Sequence, residues 1–217
     1  AKRSSPVIET EAWYTPSALA HLDVNKQRSL AKTIGEITSN DTDIYVASLT
    51  GGLTQISENG IRNWTQWDGL PSDRVLSVTT QGNRVLVGTA EGMALIENNV
   101  VTQVWDDELS DPYVQSVGIF RNDFLAGTYH GLDRLQGYKT TNLLPEWSIF
   151  SILVQQDGVM WIGYEGITRW SVLDEYSTQE WSGNVYAIEL SPTRLYLATE
   201  TKGVVAVTQE NTEVIFE

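Results

Sequence analysis

A short pattern recurs five times along this chain, and it limits the possible folds more than any other feature. In each copy an apolar run ends in a small residue, and a glycine and a second apolar run follow within a few positions. The marker glycines are Gly52, Gly92, Gly131, Gly166 and Gly203, at intervals of 40, 39, 35 and 37 residues. A large apolar residue placed before each copy, at Leu30, Leu70, Leu109, Leu144 and Trp181, gives the same four intervals. This period is typical of one β-propeller blade.

Each copy divides into four short strands. In the second copy the strands are predicted at residues 75–78, 85–87, 93–96 and 100–105, and Gly and Asn residues typical of hairpin turns separate them. A four-stranded blade cannot bury both of its faces alone, so neighbouring blades must stack around an axis. The sequence therefore predicts an all-β fold, a β-propeller of four-stranded blades.

The five copies account for 188 of the 217 residues. They predict a propeller over residues 30–217, with units near 30–69, 70–108, 109–143, 144–180 and 181–217. Residues 1–29 form an N-terminal extension, in which residues 7–14 read as another strand. We expect this strand to close the ring by pairing with the last blade, or to supply part of a sixth blade.

Residues 64–75, Trp-Thr-Gln-Trp-Asp-Gly-Leu-Pro-Ser-Asp-Arg-Val, with the Val-Gly-Thr run at 87–89, resemble the two-component regulator propeller repeat. Met160-Trp161-Ile162-Gly163 is a second close match, whereas Ser48 and Tyr164 replace the threonine of the pattern in two other copies. The resemblance implies a β-propeller outside the cytoplasm, periplasmic or at the cell surface. Members of that family are typically the sensing parts of bacterial membrane regulators.

Charge and composition exclude several classes of function. Fourteen Lys and Arg stand against 28 Asp and Glu, for a net charge of −14, which argues against a nucleic-acid partner. No apolar run is long enough to span a bilayer. The chain has no Cys, so disulfides and thiolate metal sites are excluded.

Few residues suggest chemistry. His21 and His130 are the only histidines, and His130 is expected in a solvent-facing turn, so no metal site is predicted. The acidic run 106–108 with Asp111 lacks the spacing of a known calcium loop. We find no nucleophile elbow and no phosphate-binding loop. The sequence thus predicts no cofactor, no catalytic residue and no enzymatic activity. A polysaccharide-acting enzyme with carboxylates at the propeller axis is a remote alternative.

The loops between blades carry the residues that we expect to bind a partner. Trp67, Trp147 and Trp181 lie in or beside these loops, which gather on one face of a propeller. Acidic residues and a tyrosine accompany them, namely Asp68, Asp73, Asp111, Tyr113, Glu146 and Glu180. Such an amphipathic surface favours docking of a partner protein, and a membrane-associated complex is one setting for it. The alternative is a sensing domain that binds a saccharide-like ligand at the same aromatic residues.

Overall fold

In the computed structural model, residues 33–155, 158–164, 166–171, 176–191, 194–207 and 212–216 are described. Within these ranges twenty strands form five antiparallel sheets of four strands each. Blade 1 contains β1 (Ile34–Ser39), β2 (Ile44–Ser48), β3 (Gly52–Ser57) and β4 (Gly60–Trp64). Blade 2 contains β5 (Val75–Gln81), β6 (Arg84–Thr89), β7 (Gly92–Glu97) and β8 (Val100–Trp105). Blade 3 contains β9 (Ser116–Phe120), β10 (Asp123–Thr128), β11 (Gly131–Gln136) and β12 (Lys139–Asn142).

The last two blades repeat the arrangement. Blade 4 contains β13 (Ser151–Val154), β14 (Val159–Tyr164), β15 (Gly166–Ser171) and β16 (Tyr176–Ser182), and blade 5 contains β17 (Val185–Leu190), β18 (Leu195–Thr199), β19 (Gly203–Val207) and β20 (Thr212–Phe216). In every blade the strands pair in chain order, so each connection is a local hairpin. The first strands of consecutive blades contact one another and line a central channel. The architecture is a β-propeller, as the sequence predicted.

The core lies between the blades. One cluster joins blade 1 to blade 2, where Leu53 and Trp64 pack with Val75 and Val87, all buried. Three further clusters join blades 2 and 3, blades 3 and 4, and blades 4 and 5. Alternating side chains of one strand therefore serve two different interfaces, because successive residues point to opposite faces of a blade. This is the stacking that the apolar runs of the repeat require.

A glycine in the second strand allows two blades to approach closely. Gly88 of β6 lies opposite Ser77 of β5, and Val114, which precedes the first strand of the next blade, covers it. A Cβ at Gly88 would overlap the Ser77 hydroxyl and would lie 2.8 Å from Val114 Cγ1 and 2.9 Å from the Val114 carbonyl oxygen. Gly127 in blade 3 is similarly enclosed, by Ser116 and Ile149. The small residue of the repeat is thus a packing requirement.

One detail differs from the sequence-based boundaries. Trp181 was expected in a loop that opens the fifth unit, but its backbone lies in β16 and pairs with Ile167 of β15. It corresponds to Trp64, which pairs with Leu53 at the end of blade 1, and blade 4 therefore extends beyond residue 180. The predicted strand at 7–14 lies outside the described residues, so its role in ring closure stays a prediction. The described part of the chain contains no helix of the length and hydropathy needed to cross a bilayer.

Candidate functional site

The loops that connect consecutive blades lie at one end of the propeller, because each blade begins and ends its four-strand meander at that end. We call this surface the loop face. It comprises residues 65–74, 106–115, 143–150 and 183–184, together with the turns between the second and third strands. The binding residues predicted from sequence fall on this face or at its border.

Trp67 is the most exposed tryptophan among the described side chains, with 97% of its surface accessible. It lies in a short 3-10 turn, Gln66–Asp68. The Thr65 backbone N–H and hydroxyl both donate to Asp68 Oδ2 at 3.0 Å, and the Gln66 N–H donates to Asp73 Oδ1 at 2.7 Å. Asp68 and Asp73 therefore hold the loop in shape. Their bonds fix the backbone that presents the indole to solvent.

A second group lies on the loop between blades 2 and 3. Asp111 accepts a hydrogen bond from the Tyr113 N–H through Oδ1, at 2.8 Å. Its other carboxylate oxygen, Oδ2, lies 2.5 Å from Nδ1 of His130. His130 is largely exposed, as its position in a solvent-facing turn led us to expect. Asp111 thus ties the loop after blade 2 to the turn between β10 and β11.

Tyr113 forms an aromatic pair that the sequence did not reveal. Its ring stacks on Tyr129, with centroids 5.3 Å apart and planes 27° apart. The Arg74 guanidinium carbon lies 5.4 Å from the centre of the Tyr113 ring. Tyr129 remains exposed. In the sequence, Arg74 follows Asp73 and Tyr129 precedes His130, two residues that we did consider. This adjacency was the signal that could have identified Arg74 and Tyr129. We call Arg74, Asp111, Tyr113, Tyr129 and His130 the tyrosine patch.

Trp147 is a packing residue as well as a surface residue. Its ring lies flat on Tyr164, with centroids 4.2 Å apart and planes 12° apart, and it borders the core between blades 3 and 4. Glu146 beside it is exposed. Together with Phe150 and Asn184 these residues line a small pocket of about 220 Å³. The side chains of Glu180 and Trp181 lie outside the described set, so their contribution to the loop face stays a prediction.

A buried carboxyl supports the loop face from below. Asp133 of β11 is almost fully buried, and its Oδ2 accepts hydrogen bonds from the backbone N–H and the hydroxyl of Ser110, each at 2.7 Å. Burial raises the pKa of Asp133, the two hydrogen bonds from Ser110 lower it, and the charge of nearby Asp111 raises it further. The result is a raised pKa at a residue that anchors the loop between blades 2 and 3.

The central channel, with a volume of about 490 Å³, carries a second carboxyl with a raised pKa. Glu36 of β1 stands where the other blades have Ser77, Ser116, Ser151 and Ala187. Its Oε2 accepts a hydrogen bond from the Val78 N–H of blade 2 at 2.7 Å. The side chain remains in contact with solvent, yet the surrounding channel walls desolvate it and raise its pKa, whereas the Val78 hydrogen bond lowers it. Sequence reasoning missed Glu36, although the exchange of Ser for Glu within the repeat marked it.

Metal binding finds no support in these contacts. Within the described ranges, no three His, Asp or Glu side chains converge into a group that could hold a metal ion. Asp111 is engaged by the Tyr113 N–H and His130 Nδ1, whereas Asp106 Oδ1 accepts a hydrogen bond from the Asp107 N–H.

Comparison with known proteins places the fold. No family model matches the sequence, and no curated protein matches it. The extracellular domain of a protein assigned as a hybrid two-component system of B. thetaiotaomicron superposes with a TM-score of 0.75, at 17% identity, over 90% of this chain and 30% of that chain. Another such domain from the same organism gives a TM-score of 0.68 at 17% identity, over 85% of this chain and 27% of that one. The WD40 β-propeller domain of Doa1 gives 0.64 at 11% identity, over 82% and 64%.

These similarities concern the fold alone. The chain spans less than a third of the two extracellular domains that it matches. At identities of 17% the superposition establishes a shared propeller architecture and says nothing of ligand or partner. The resemblance to the regulator propeller repeat is thus matched by structure neighbours from two-component-type systems, without a family match in sequence.

Proposed function

We propose that this chain is a non-enzymatic recognition module that works outside the cytoplasm and docks a partner protein through its loop face. The observation that carries the proposal is the exposure of Trp67 on a loop that is rigidly held. Burying an indole in a complex removes a large apolar area from water, and Trp is enriched at the centres of protein interfaces. An exposed tryptophan therefore marks a surface where covering by a partner contributes strongly to the binding free energy.

The braced loop adds to the affinity that such a contact can reach. Asp68 and Asp73 fix the backbone on both sides of Trp67 before a partner arrives. A preformed loop loses little conformational entropy on binding, so more of the contact energy appears as affinity. The two acidic residues thereby support recognition through the geometry of the loop.

The tyrosine patch offers a second point of contact on the same face. It combines a tyrosine stack and a guanidinium, from two of the residue types enriched at interface hot spots, with an imidazole–carboxylate pair beside them. The chain also carries a net charge of −14, which attracts a basic partner surface and accelerates its encounter. A partner that is basic at its rim and offers apolar pockets for aromatic side chains fits this surface.

The contacts of the polar residues support binding over catalysis. The Ser110 hydroxyl is engaged by Asp133 and Thr128, and His130 uses Nδ1 for Asp111. A hydrolytic site of the serine type needs a hydroxyl bonded to its histidine base, and this pair of contacts separates the two. In the channel, Glu36 Oε2 accepts a hydrogen bond from the Val78 N–H. We therefore assign no chemistry to these groups.

A second candidate function follows from the comparisons. The match to extracellular domains of two-component-type systems favours a sensing domain of the regulator propeller family, with a saccharide-like ligand bound at the loop-face aromatic residues. In that case a glycan panel should shift the melting temperature of the chain, and Trp67→Ala should abolish the shift. A panel without effect would leave protein docking as the function.

The experiment that tests protein docking is gentle isolation of the tagged full-length protein from its native source, followed by mass measurement of the intact assembly. We expect a partner at fixed stoichiometry with the wild-type chain and its loss with Trp67→Ala. Tyr138→Ser is the matched control, because Tyr138 is an equally exposed aromatic residue in the β11–β12 turn, at the other end of the blades. A partner that is retained by Trp67→Ala, or an isolated monomer from the wild type, would contradict docking through this face.

A further inference from the structure

A groove between blades 1 and 2 opens at the end of the propeller opposite the loop face. Hairpin turns of the two blades form its walls, and its volume is about 690 Å³, within the range of small-molecule sites. Its floor contains Tyr45, Gln55 and Trp64, of which 5%, 8% and 1% of the surface is accessible. We call this cavity the blade 1–2 groove. It lies on a different surface from the loop face, so it is independent of the function proposed above.

The floor of this groove is polar on the two central strands of blade 1, where the corresponding strands of blade 2 are apolar. Tyr45, Gln55 and Arg62 lie side by side on three neighbouring strands of blade 1. At the positions of Tyr45 and Gln55, blade 2 has Leu86 and Leu95, which pair across β6 and β7 and fill the interface with blade 3. Because Leu at these positions closes one blade interface, the polar residues of blade 1 leave the neighbouring interface open. Blade 2 therefore serves as an internal control for the effect of the polar residues in blade 1.

Burying these polar groups is unfavourable unless they find hydrogen-bond partners. Gln55 Nε2 donates to the Tyr45 hydroxyl at 3.3 Å. The indole Nε1–H of Trp64 is buried and has no hydrogen-bond partner among the described residues. The Arg62 guanidinium carbon lies over the face of the Trp64 ring, 4.9 Å from its centre. Trp64 lines the groove, so an acceptor that binds there and displaces the side chains shielding this nitrogen would satisfy it.

The walls indicate the class of that acceptor. Five asparagines line the groove, Asn40, Asn59, Asn83, Asn98 and Asn99, with Asp43, Glu58 and Arg62 as the charged groups. An amide both donates and accepts, as a hydroxyl does, and a carboxylate accepts from a hydroxyl. The two acidic groups and one guanidinium leave no excess positive charge for an anion. Asn98 and Asn99 adopt left-handed backbone angles, with φ of 51° and 65°, which fix the turn that carries them.

We propose that the blade 1–2 groove binds a small neutral polyhydroxylated molecule, a monosaccharide, disaccharide or cyclitol, one oxygen of which accepts the hydrogen bond from Trp64 Nε1. Tyr45 serves as a fixed hydroxyl in this site. Burial, together with the nearby charge of Asp43, raises the pKa of Tyr45 to about 12, so the phenol keeps its proton at physiological pH.

Nuclear magnetic resonance of the full-length chain reads the key contact directly. In ¹⁵N-labelled protein the Trp64 indole resonance is identified by its loss in Trp64→Phe. The probes are glucose, galactose, xylose, maltose, cellobiose and myo-inositol, each titrated separately. We expect at least one probe to move the Trp64 indole resonance in a saturable manner. A resonance that none of the six probes moves overturns the proposal.

Paired variants separate binding from folding. Tyr45→Leu with Gln55→Leu gives blade 1 the residues of blade 2, and we expect a folded chain whose affinity for the active probe falls about tenfold or more. Asn98→Gly with Asn99→Gly keeps the left-handed turn and removes two amides, so it should weaken binding even if the leucine variant fails to fold. Tyr138→Ser, outside the groove, should bind as the wild type does. Unchanged affinity in the asparagine variant, or in a folded leucine variant, would overturn the assignment.

Discussion

Replacing Gly88 with Ala should destabilise the propeller strongly, although alanine is otherwise the better residue in a strand. A methyl group at this position would overlap the Ser77 hydroxyl and approach Val114 Cγ1 to 2.8 Å and the Val114 carbonyl oxygen to 2.9 Å. The hydroxyl can rotate away, but the backbone oxygen can move only if blade 3 shifts. Overpacking of a close-packed interface costs roughly 1–3 kcal/mol, and the fixed backbone contact places Gly88→Ala near the upper end.

Urea unfolding followed by tryptophan fluorescence measures this loss as a lower midpoint at an unchanged slope. Gly137→Ala is the control, because Gly137 has a φ of 60° and open space around its α-carbon, so only the left-handed backbone penalises it, by about 1 kcal/mol. Removing the valine side chain in Val114→Ala should relieve part of the Gly88→Ala effect, so the two changes together should cost about 1 kcal/mol less than their sum. If Gly88→Ala cost no more than Gly137→Ala, the close approach of blades 2 and 3 would be refuted.

Three further outcomes distinguish surface residues from supporting ones. Trp67→Ala should leave the free energy of unfolding within about 0.5 kcal/mol of wild type, because the indole packs on nothing; a larger loss in thermal melts would show hidden packing. Trp147→Ala should lower the stability by about 2 kcal/mol through loss of its stack on Tyr164, and an unchanged melting temperature would disprove that contact. Asp133→Asn should be more stable than wild type at neutral pH, because the pKa of Asp133 is raised and ionisation above that pKa destabilises the folded state. The difference in stability should vanish below the ordinary carboxyl pKa of 3.8. Melting temperatures that differ by a constant amount from about pH 3 to 7 would contradict this prediction.

Most of the fold could be predicted from the repeat in the sequence. A fixed period, hairpin residues between short apolar runs, and small residues at the second strand all express one blade geometry, so five copies predicted a propeller. Trp181 misled us because the interval of 37 residues also fits a strand end; its equivalence to Trp64 is decided by cross-strand pairing, which a linear sequence does not show.

The surfaces were harder to predict, because they depend on residues about 40 positions apart. Trp67 could be assigned to the loop face because it lies in a connection between two predicted strands. The stack of Trp147 on Tyr164 requires knowledge of how blade 4 packs on the loop before it. The blade 1–2 groove went unnoticed for the same reason, although comparing Tyr45 and Gln55 with Leu86 and Leu95 across copies of the repeat would have revealed it.

Recognition through the loop face is tested most directly by a photoreactive aromatic residue placed at position 67 in the native full-length protein. Illumination in the native source should join the chain to one partner at that position, with no such product from the same residue at position 138. Crosslinking to a single partner from position 67 alone is the result that we expect. Absence of an adduct at position 67, or equal adducts from both positions, would contradict docking through the loop face.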